Sequence, residues 1–293
     1  MKCVTYNIQY GVGKDWQTDL RRIAGAVDGA DVIALQEVTR HLPMTDGGDQ
    51  PAELAALLPN YHWVYGPALD LDRSEQADDG RVTNRRMQFG NMLLARRPIL
   101  SSRLYMLPKL AATNVQTSQR AALEGVIETG GGPLQLYSVH LSATNRRERK
   151  LQVEYLLRLY RQGALGGALC DGPDNWAERN GLRAPPTGEA TIVMGDFNFE
   201  PGHPEYTLMT GEIDPVFGRV GNRDLLVDAW VSTGHGEDEG VTCPTCPENI
   251  TPHDMRLDYI FVSPHLADRL KSTEIDNDAQ GSDHQPVWAE IDL

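Results

Sequence analysis

Apolar and polar positions recur along this chain with two periods, one of strands and one of helices. Lys2–Ile8 and Asp31–Leu35 are short apolar runs of strand length. Between them Leu20, Ile23, Ala24 and Val27 recur at helical spacing, so the opening reads as a β-α-β unit. Tyr61–Tyr65 reads as a further strand. Gln88–Ala95 and Ile99–Met106 flank Arg96-Arg97-Pro98, a spacing that predicts a hairpin. Ala121–Glu128 and Leu134–His140 predict a second one across Gly130-Gly131-Gly132-Pro133. Val153, Leu156, Leu157 and Tyr160 mark the apolar stripe of a helix from about Arg146 to Arg161.

A Gly- and Pro-containing loop is expected from Gly163 to Gly188. Beyond it the pattern predicts a strand at Ala190–Met194 and helices near His203–Met209 and Asp224–Trp230. Strands follow at Arg256–Val262, Leu270–Ile275 and Gln285–Ile291. The acidic stretch Asp70–Gly80, followed by Arg81–Arg86, reads as a long surface loop. Strands run through both halves and no linker divides them, which predicts one α/β domain over residues 1–293, two sheets covered by helices.

Composition narrows the class. The hydrophobic share is 40% and the charged share 23%, as in an ordinary globular protein. No stretch approaches the ~18 consecutive apolar residues of a membrane-spanning helix. The N-terminus enters a strand pattern at once, without the features of a signal peptide, so a cytoplasmic location is expected. With 27 basic and 41 acidic residues the formal charge is −14, which weakens a duplex-binding reading, since phosphate contacts dominate such affinity. Cys243-Pro244-Thr245-Cys246 has His235 and His253 nearby but no second C-x-x-C, and it reads as two reduced loop cysteines rather than zinc ligands.

Polar residues gather where the apolar runs end. Asn7 ends the first, Glu37 the second and His140 a middle one. Asp196 and Asn198 follow Ile192-Val193-Met194-Gly195, with a spacing that puts both on one face of an extended segment. Asp258 lies inside an apolar run, where a buried carboxylate needs a partner. Asp283 and His284 sit just before the final strand. Hard divalent cations favour oxygen ligands, which suits Glu37 and Asp283 with the Asn7 amide for Mg²⁺. Asp196 and Asn198 could orient a water and hold a phosphate oxygen, and His284 backed by Asp258 could stabilise charge or shuttle a proton. Each motif alone also has an ordinary reading, such as a cap at Asn7 or an Asx-turn at Asp196-Phe197-Asn198. All those readings holding at once is the improbable outcome.

The set Thr5-Tyr6-Asn7-Ile8, Leu35-Gln36-Glu37, Ser138-Val139-His140-Leu141, Gly195-Asp196-Phe197-Asn198, Leu257-Asp258-Tyr259-Ile260 and Ser282-Asp283-His284 resembles the endonuclease/exonuclease/phosphatase superfamily, in family order across nearly the whole chain. Phe89-Gly90-Asn91-Met92-Leu93-Leu94 with Arg97-Pro98 also resembles a family segment. The resemblance implies a four-layer α/β/β/α sandwich of two mixed sheets flanked by helices, DNase I-like, with its site at one sheet edge. It also implies phosphoester hydrolysis dependent on Mg²⁺ or Mn²⁺. On matching motifs Glu37 would be the principal metal ligand, helped by Asn7 and Asp283. Asp196, Asn198, His284, Asp258 and His140 would be catalytic, His140 at a phosphate-binding position, and Arg120 and Asn91 are substrate-contact candidates. The Cys243–Cys246 insert is not a recognised family element.

The expected reaction is phosphodiester hydrolysis on a small molecule or lipid head group. A DNA nuclease is the alternative, supported by Arg81, Arg85, Arg86, Arg96, Arg97 and Arg146-Arg147-Glu148-Arg149-Lys150. A non-catalytic binding protein would be expected to lose ligands that this chain keeps. No protein partner is inferable from the sequence.

Overall fold

A computed structural model describes residues 1–170, 176–182, 186, 188, 190–245 and 253–293. Two six-stranded mixed sheets dominate it. The first runs in the order Leu270–Ile275, Val287–Ile291, Lys2–Asn7, Val32–Arg40, Arg86–Ala95, His62–Asp72. The second runs Val227–Asp228, Asp258–Val262, Ala190–Asp196, Gly132–His140, Ala121–Thr129, Ile99–Met106. One pair in each sheet is parallel: Lys2–Asn7 with Val32–Arg40, and Gly132–His140 with Ala190–Asp196.

Three apolar interfaces make this a four-layer sandwich. Cys3, Val32, Ala34 and Leu93 of the first sheet pack against Leu136, Ile192, Met194 and Ile260 of the second. The outer face of the first sheet, with Val4, Tyr6, Ile33 and Leu35, is covered by the Leu20–Val27 helix through Leu20, Ile23 and Val27 and by Leu54 of the Gln50–Leu57 helix. The outer face of the second is covered by Val153, Leu156 and Leu157 of the Arg146–Gln162 helix and by Tyr206 and Met209 of the Pro204–Thr210 helix. Asp19, Asp49 and Asn145 cap three of these helices through their side chains, satisfying amides that no helical turn can reach. No helix among the described residues is long and apolar enough to cross a membrane.

Three expectations are corrected. Arg86–Ala95 and Ile99–Met106 do not form a hairpin: the first pairs with Val32–Arg40 and His62–Asp72, the second with Ala121–Thr129. The chain crosses between sheets at Arg96-Arg97-Pro98, so a turn signal there is right and the pairing partner wrong. Residues 70–86 are a hairpin extension, with Glu75–Gln76 paired to Val82–Thr83, rather than an irregular loop. Asp224–Trp230 is not a helix, since Val227–Asp228 joins the second sheet and only Ala229–Ser232 is helical. The Gln50–Leu57 helix was not anticipated, although Asp49 as cap and Pro51 in the first turn are its start signal.

Candidate active site

Strand alternation delivers most of the site. Side chains point alternately to the two faces of a sheet. Cys3 lies between the sheets and Val4 and Tyr6 lie under the helices, so Thr5 and Asn7 continue the inner series. By the same parity Ile192 and Met194 lead to Asp196, Leu134 and Leu136 lead to Ser138 and His140, and Val262 and Ile260 lead back to Asp258. Asp196 stands opposite His140 on one side and opposite Asp258 on the other. The inner face is thus apolar at one end of the strands and polar at the other, and the site spans the ends of both sheets. Gly195 permits this register, because a Cβ there would meet the Val139 carbonyl oxygen at 1.9 Å.

Glu37 breaks the alternation. Leu35 pairs with Met92 and Val38 with Gly90, so Gln36 and Glu37 together face Asn91 in a β-bulge. Glu37 itself adopts a left-handed backbone, φ +61°. Such a conformation is strained for a non-glycine residue and re-aims its side chain. Below it Gln36 donates to Ser138 Oγ at 3.0 Å and ties the sheets together. The last segment is held in another way: the Ser282 hydroxyl donates to the Asn7 carbonyl at 2.7 Å and accepts from the His284 amide at 3.1 Å. That pair of bonds places Asp283 and His284 beside Asn7.

At the centre the Asn7 amide donates to Asp196 Oδ2 at 3.0 Å and to Glu37 Oε1 at 3.4 Å, while its oxygen accepts from the Gln9 amide. His140 Nε2 lies 3.3 Å from Asp196 Oδ2 and 3.9 Å from Glu37 Oε1. Arg120, which can only donate, reaches His140 Nδ1 at 3.0 Å. That bond fixes the tautomer with the proton on Nε2, facing the carboxylates. Burial, together with the Arg120 and His284 charges, holds His140 well below the ordinary histidine pKa, so it is neutral.

His284 is the opposite case. Its Nδ1 donates to Asp258 Oδ2 at 2.7 Å, both groups being buried. Burial alone would favour the neutral ring, but the Asp258 charge and hydrogen bond, with contributions from Cys243 and Asp196, raise its pKa well above the ordinary value. Asp196, 2% exposed, is pushed up to about 7 by burial and by Asp258. Asp196 Oδ1 accepts from the Asn198 amide at 2.9 Å, with Asn198 in the left-handed region at φ +53°. The Asx-turn reading and the functional one therefore coexist, since the turn aims the carboxylate.

Glu37, Asn7, Asp196, Asn198, His140, Asp258, Asp283 and His284 thus come together, with Arg120 at the edge. Asn91 is set deeper: its amide donates to the Ala121 and Ser138 carbonyls at 3.0 and 2.8 Å, so both its protons link the two sheets. Sequence reasoning missed Tyr10 and Phe89, whose rings lie 5.9 Å apart beside His140, and Thr242, whose hydroxyl accepts from the Leu257 and Asp258 amides. Their signal was proximity in sequence to Asn7, Asn91 and Cys243, with Phe89 also opening the family-like segment Phe89-Gly90-Asn91. Cys243 is buried against His284 instead of lying in an open loop, and Cys246 lies outside the described residues. His235 stacks on Trp230 and His253 pairs with Glu200.

Two donor sets can be tested for a cation. Asp196, Asp258 and His284 offer atoms within 4.8 Å of one another, but His284 Nδ1 and Asp258 Oδ2 already bond to each other. Glu37 and Asp283 fit better. Burial and the Asp283 charge both raise the Glu37 pKa, a tension that a hard cation between two carboxylates would relieve. Asn7 would have to turn its amide to offer oxygen to that cation.

The model of the Endonuclease/Exonuclease/phosphatase family matches residues 4–284. The chain belongs to this family. Its members are phosphoester hydrolases, generally dependent on divalent metal, and the chain is an enzyme of that class. Among curated proteins none matches. The family member from Beutenbergia cavernae DSM 12333 is similar in structure, with TM-score 0.64 and 22% identity over 100% of this chain and 71% of that one. The mannosyl-6-phosphatase of Bacteroides thetaiotaomicron gives 0.64 and 18% over 100% of both chains. A truncated TDP2 of Caenorhabditis elegans gives 0.63 and 18% over 100% of this chain and 97% of that one. These likenesses bear on the fold, a DNase I-like sandwich.

Proposed function

We propose that this family member hydrolyses a small or lipid-derived phosphoester, a phosphodiester first, with Mg²⁺ or Mn²⁺ held by Glu37 and Asp283 and by Asn7 once its amide turns. The bound ion would supply Lewis acidity and a more acidic water. Asp196, with its pKa near 7, is suited to accept the proton of the attacking water, and Asn198 holds it in line. His284, kept cationic by Asp258, faces the charge that builds on the phosphoryl oxygens. Neutral His140 donates its Nε2 proton to the carboxylates, and Arg120, anchored on His140, has further N–H groups for a phosphate oxygen.

The observation that carries the substrate class is the state of the arginines. Arg81 pairs with Asp79, Arg85 with Glu75 and Arg86 with Asp70 and Asp72, all on one hairpin. Arg96 donates to Ala30 O at the far end of its strand, since Ala95 pairs with Val32 there while Gly90 pairs with Val38 next to Glu37. Arg149 is buried on Ser142, Ala143 and Glu205, and Lys150 pairs with Glu154. These cations are paired or turned away, while Arg97, Arg146 and Arg147 stay exposed, and with a net charge of −14 this favours a small substrate over a duplex backbone. The names of the similar structures point both ways, one a sugar phosphatase and one TDP2, so the class rests on this charge pairing.

The test compares bis(p-nitrophenyl) phosphate, p-nitrophenyl phosphate and a duplex carrying an abasic site, each with Mn²⁺ and at two salt concentrations. Preference for the small diester, nearly independent of salt, is expected. Efficient duplex cleavage that falls steeply with salt would replace this reading with the nuclease.

A further inference from the structure

The strand pair that carries Phe89 has two unlike faces. Asn91 belongs to the inner face, since its amide reaches the Ala121 and Ser138 carbonyls of the second sheet. Alternation then puts Phe89 and Met87 on that face too. Across the pair Leu69 stands opposite Phe89 and Leu71 opposite Met87, so four apolar side chains form one row. The outer face of the same stretch is charged, with Arg86 on Asp70 and Asp72. Past Met87 and Leu71 the hairpin turns polar, with Arg73, Glu75 and Arg85.

The row starts at the reacting centre. The Phe89 ring lies 6.0 Å from that of His140, and the Arg120 guanidinium sits 5.6 Å over its face. From there the row runs toward solvent: Phe89, Leu69 and Met87 are half-buried and Leu71 is 47% exposed. The edge strand of the second sheet passes beneath, where a Cβ on Gly66 would meet Leu104 Cδ1 at 2.7 Å. Met106, next on the face of Leu104 and paired with Ala121 beside Arg120, is 48% exposed. A groove with apolar walls on two sides therefore opens from the phosphate-binding residues. Scattered apolar residues on a surface are ordinary, whereas a contiguous row marks a binding face. From Phe89 to Met87 it spans about 7 Å, the reach of about five or six methylenes.

We propose that this groove holds an apolar ester group of the substrate, about six carbons long, while the phosphate lies at Arg120, His140 and His284. Continuity with the site assigns the occupant, because a group esterified to a phosphate on Arg120 meets the Phe89 ring first. This rests on the phosphoester reading of the site and adds the chemistry of the alcohol part. A methylene buried in such a groove is worth about twofold in affinity when one side stays open and about fourfold when fully enclosed.

The experiment is calorimetric titration of the protein, in the presence of Mn²⁺, with methyl, butyl, hexyl and octyl phosphate, since binding needs no turnover. Affinity should rise about 30-fold from methyl to hexyl phosphate and flatten at octyl phosphate. Leu71→Asn and Met106→Asn, both at exposed positions, should each cut the hexyl-to-methyl ratio about fivefold. Val82→Asn, at the 62% exposed hairpin tip, should leave the ratio unchanged. No binding, equal affinity for methyl and hexyl phosphate, or a ratio that Val82→Asn lowers as much as Leu71→Asn would overturn the inference. A dimer that Leu71→Asn dissolves, with no dependence on chain length, would overturn it in favour of a second copy on the row. Metal-dependent turnover of p-nitrophenyl methyl phosphate without any length dependence would strike the groove and leave the hydrolytic reading standing. Length-dependent binding without that turnover would support the groove and count against the hydrolytic reading alone.

Discussion

Asp258→Asn is the sharpest perturbation of the site, because it keeps the volume and removes one charge. In the native protein His284 Nδ1 and Asp258 Oδ2 are 2.7 Å apart, and the Asp258 side chain has no exposed surface. Opposite unit charges about 4 Å apart at an effective dielectric of about 20 are worth on the order of 4 kcal/mol. The variant does not forfeit all of this, since the imidazole can release its proton and the amide can still bond to Nδ1. What is lost is a cation positioned where phosphoryl charge develops, a term of about 2.7–4 kcal/mol or about 10²–10³ in kcat. Steady-state kinetics on bis(p-nitrophenyl) phosphate at saturating Mn²⁺ should show that fall with KM changed by less than about threefold. The ¹⁵N shifts of the His284 ring at neutral pH should move from imidazolium to neutral. A folded variant with wild-type kcat, or an imidazolium that persists without Asp258, would refute the reasoning.

Gly195→Ala should destabilise the fold by about 3 kcal/mol or more, because its Cβ would lie 1.9 Å from the Val139 carbonyl oxygen at φ +149°; the urea midpoint measures it. In chelator, the two buried histidines should contribute to stability in opposite senses on either side of the ordinary histidine pKa of about 6.5. Against them runs a separate loss from Asp196, whose pKa of about 7 makes stability fall as pH rises from the ordinary carboxylate range. His284 holds its proton in the folded state above the pH at which the unfolded chain releases it, so stability falls as pH rises from there through its folded pKa. His140 stays neutral when folded while the unfolded chain takes up a proton, so stability falls as pH drops below the same point. Measured by thermal melts, the stability gap between wild type and His284→Asn should narrow as pH rises above about 6.5, and the gap to His140→Asn should narrow as pH falls below it. Gaps independent of pH would contradict the assignments.

Much of the site was legible because alternation is a local code. Asn7, His140, Asp196 and Asp258 each stand at the polar end of an inner-face series that the apolar residues of the same strand announce. Asp258 was the most telling, since a carboxylate within Leu257-Asp258-Tyr259-Ile260 had to find a partner, and it found His284. Glu37 was legible as a residue type but not as a conformation, because nothing in Leu35-Gln36-Glu37-Val38 marks a bulge or a left-handed non-glycine. Strand partners were the weakest inference. Arg96-Arg97-Pro98 signals a turn through its local chemistry, yet whether the chain returns to the same sheet depends on contacts with Val32–Arg40 and Ala121–Thr129, far away in sequence. Asn91 shows a similar limit: its type suited substrate contact, and only the approach of the two sheets reveals that its amide bridges them.

The most direct measurement pairs Mn²⁺ binding with turnover of bis(p-nitrophenyl) phosphate in the wild type, Glu37→Ala and His284→Ala. Glu37→Ala should lose metal affinity and turnover together. His284→Ala should bind Mn²⁺ nearly as well as the wild type while turning over about 10²-fold more slowly or worse. Activity that survives chelator, or normal turnover in the His284 variant, would contradict the account.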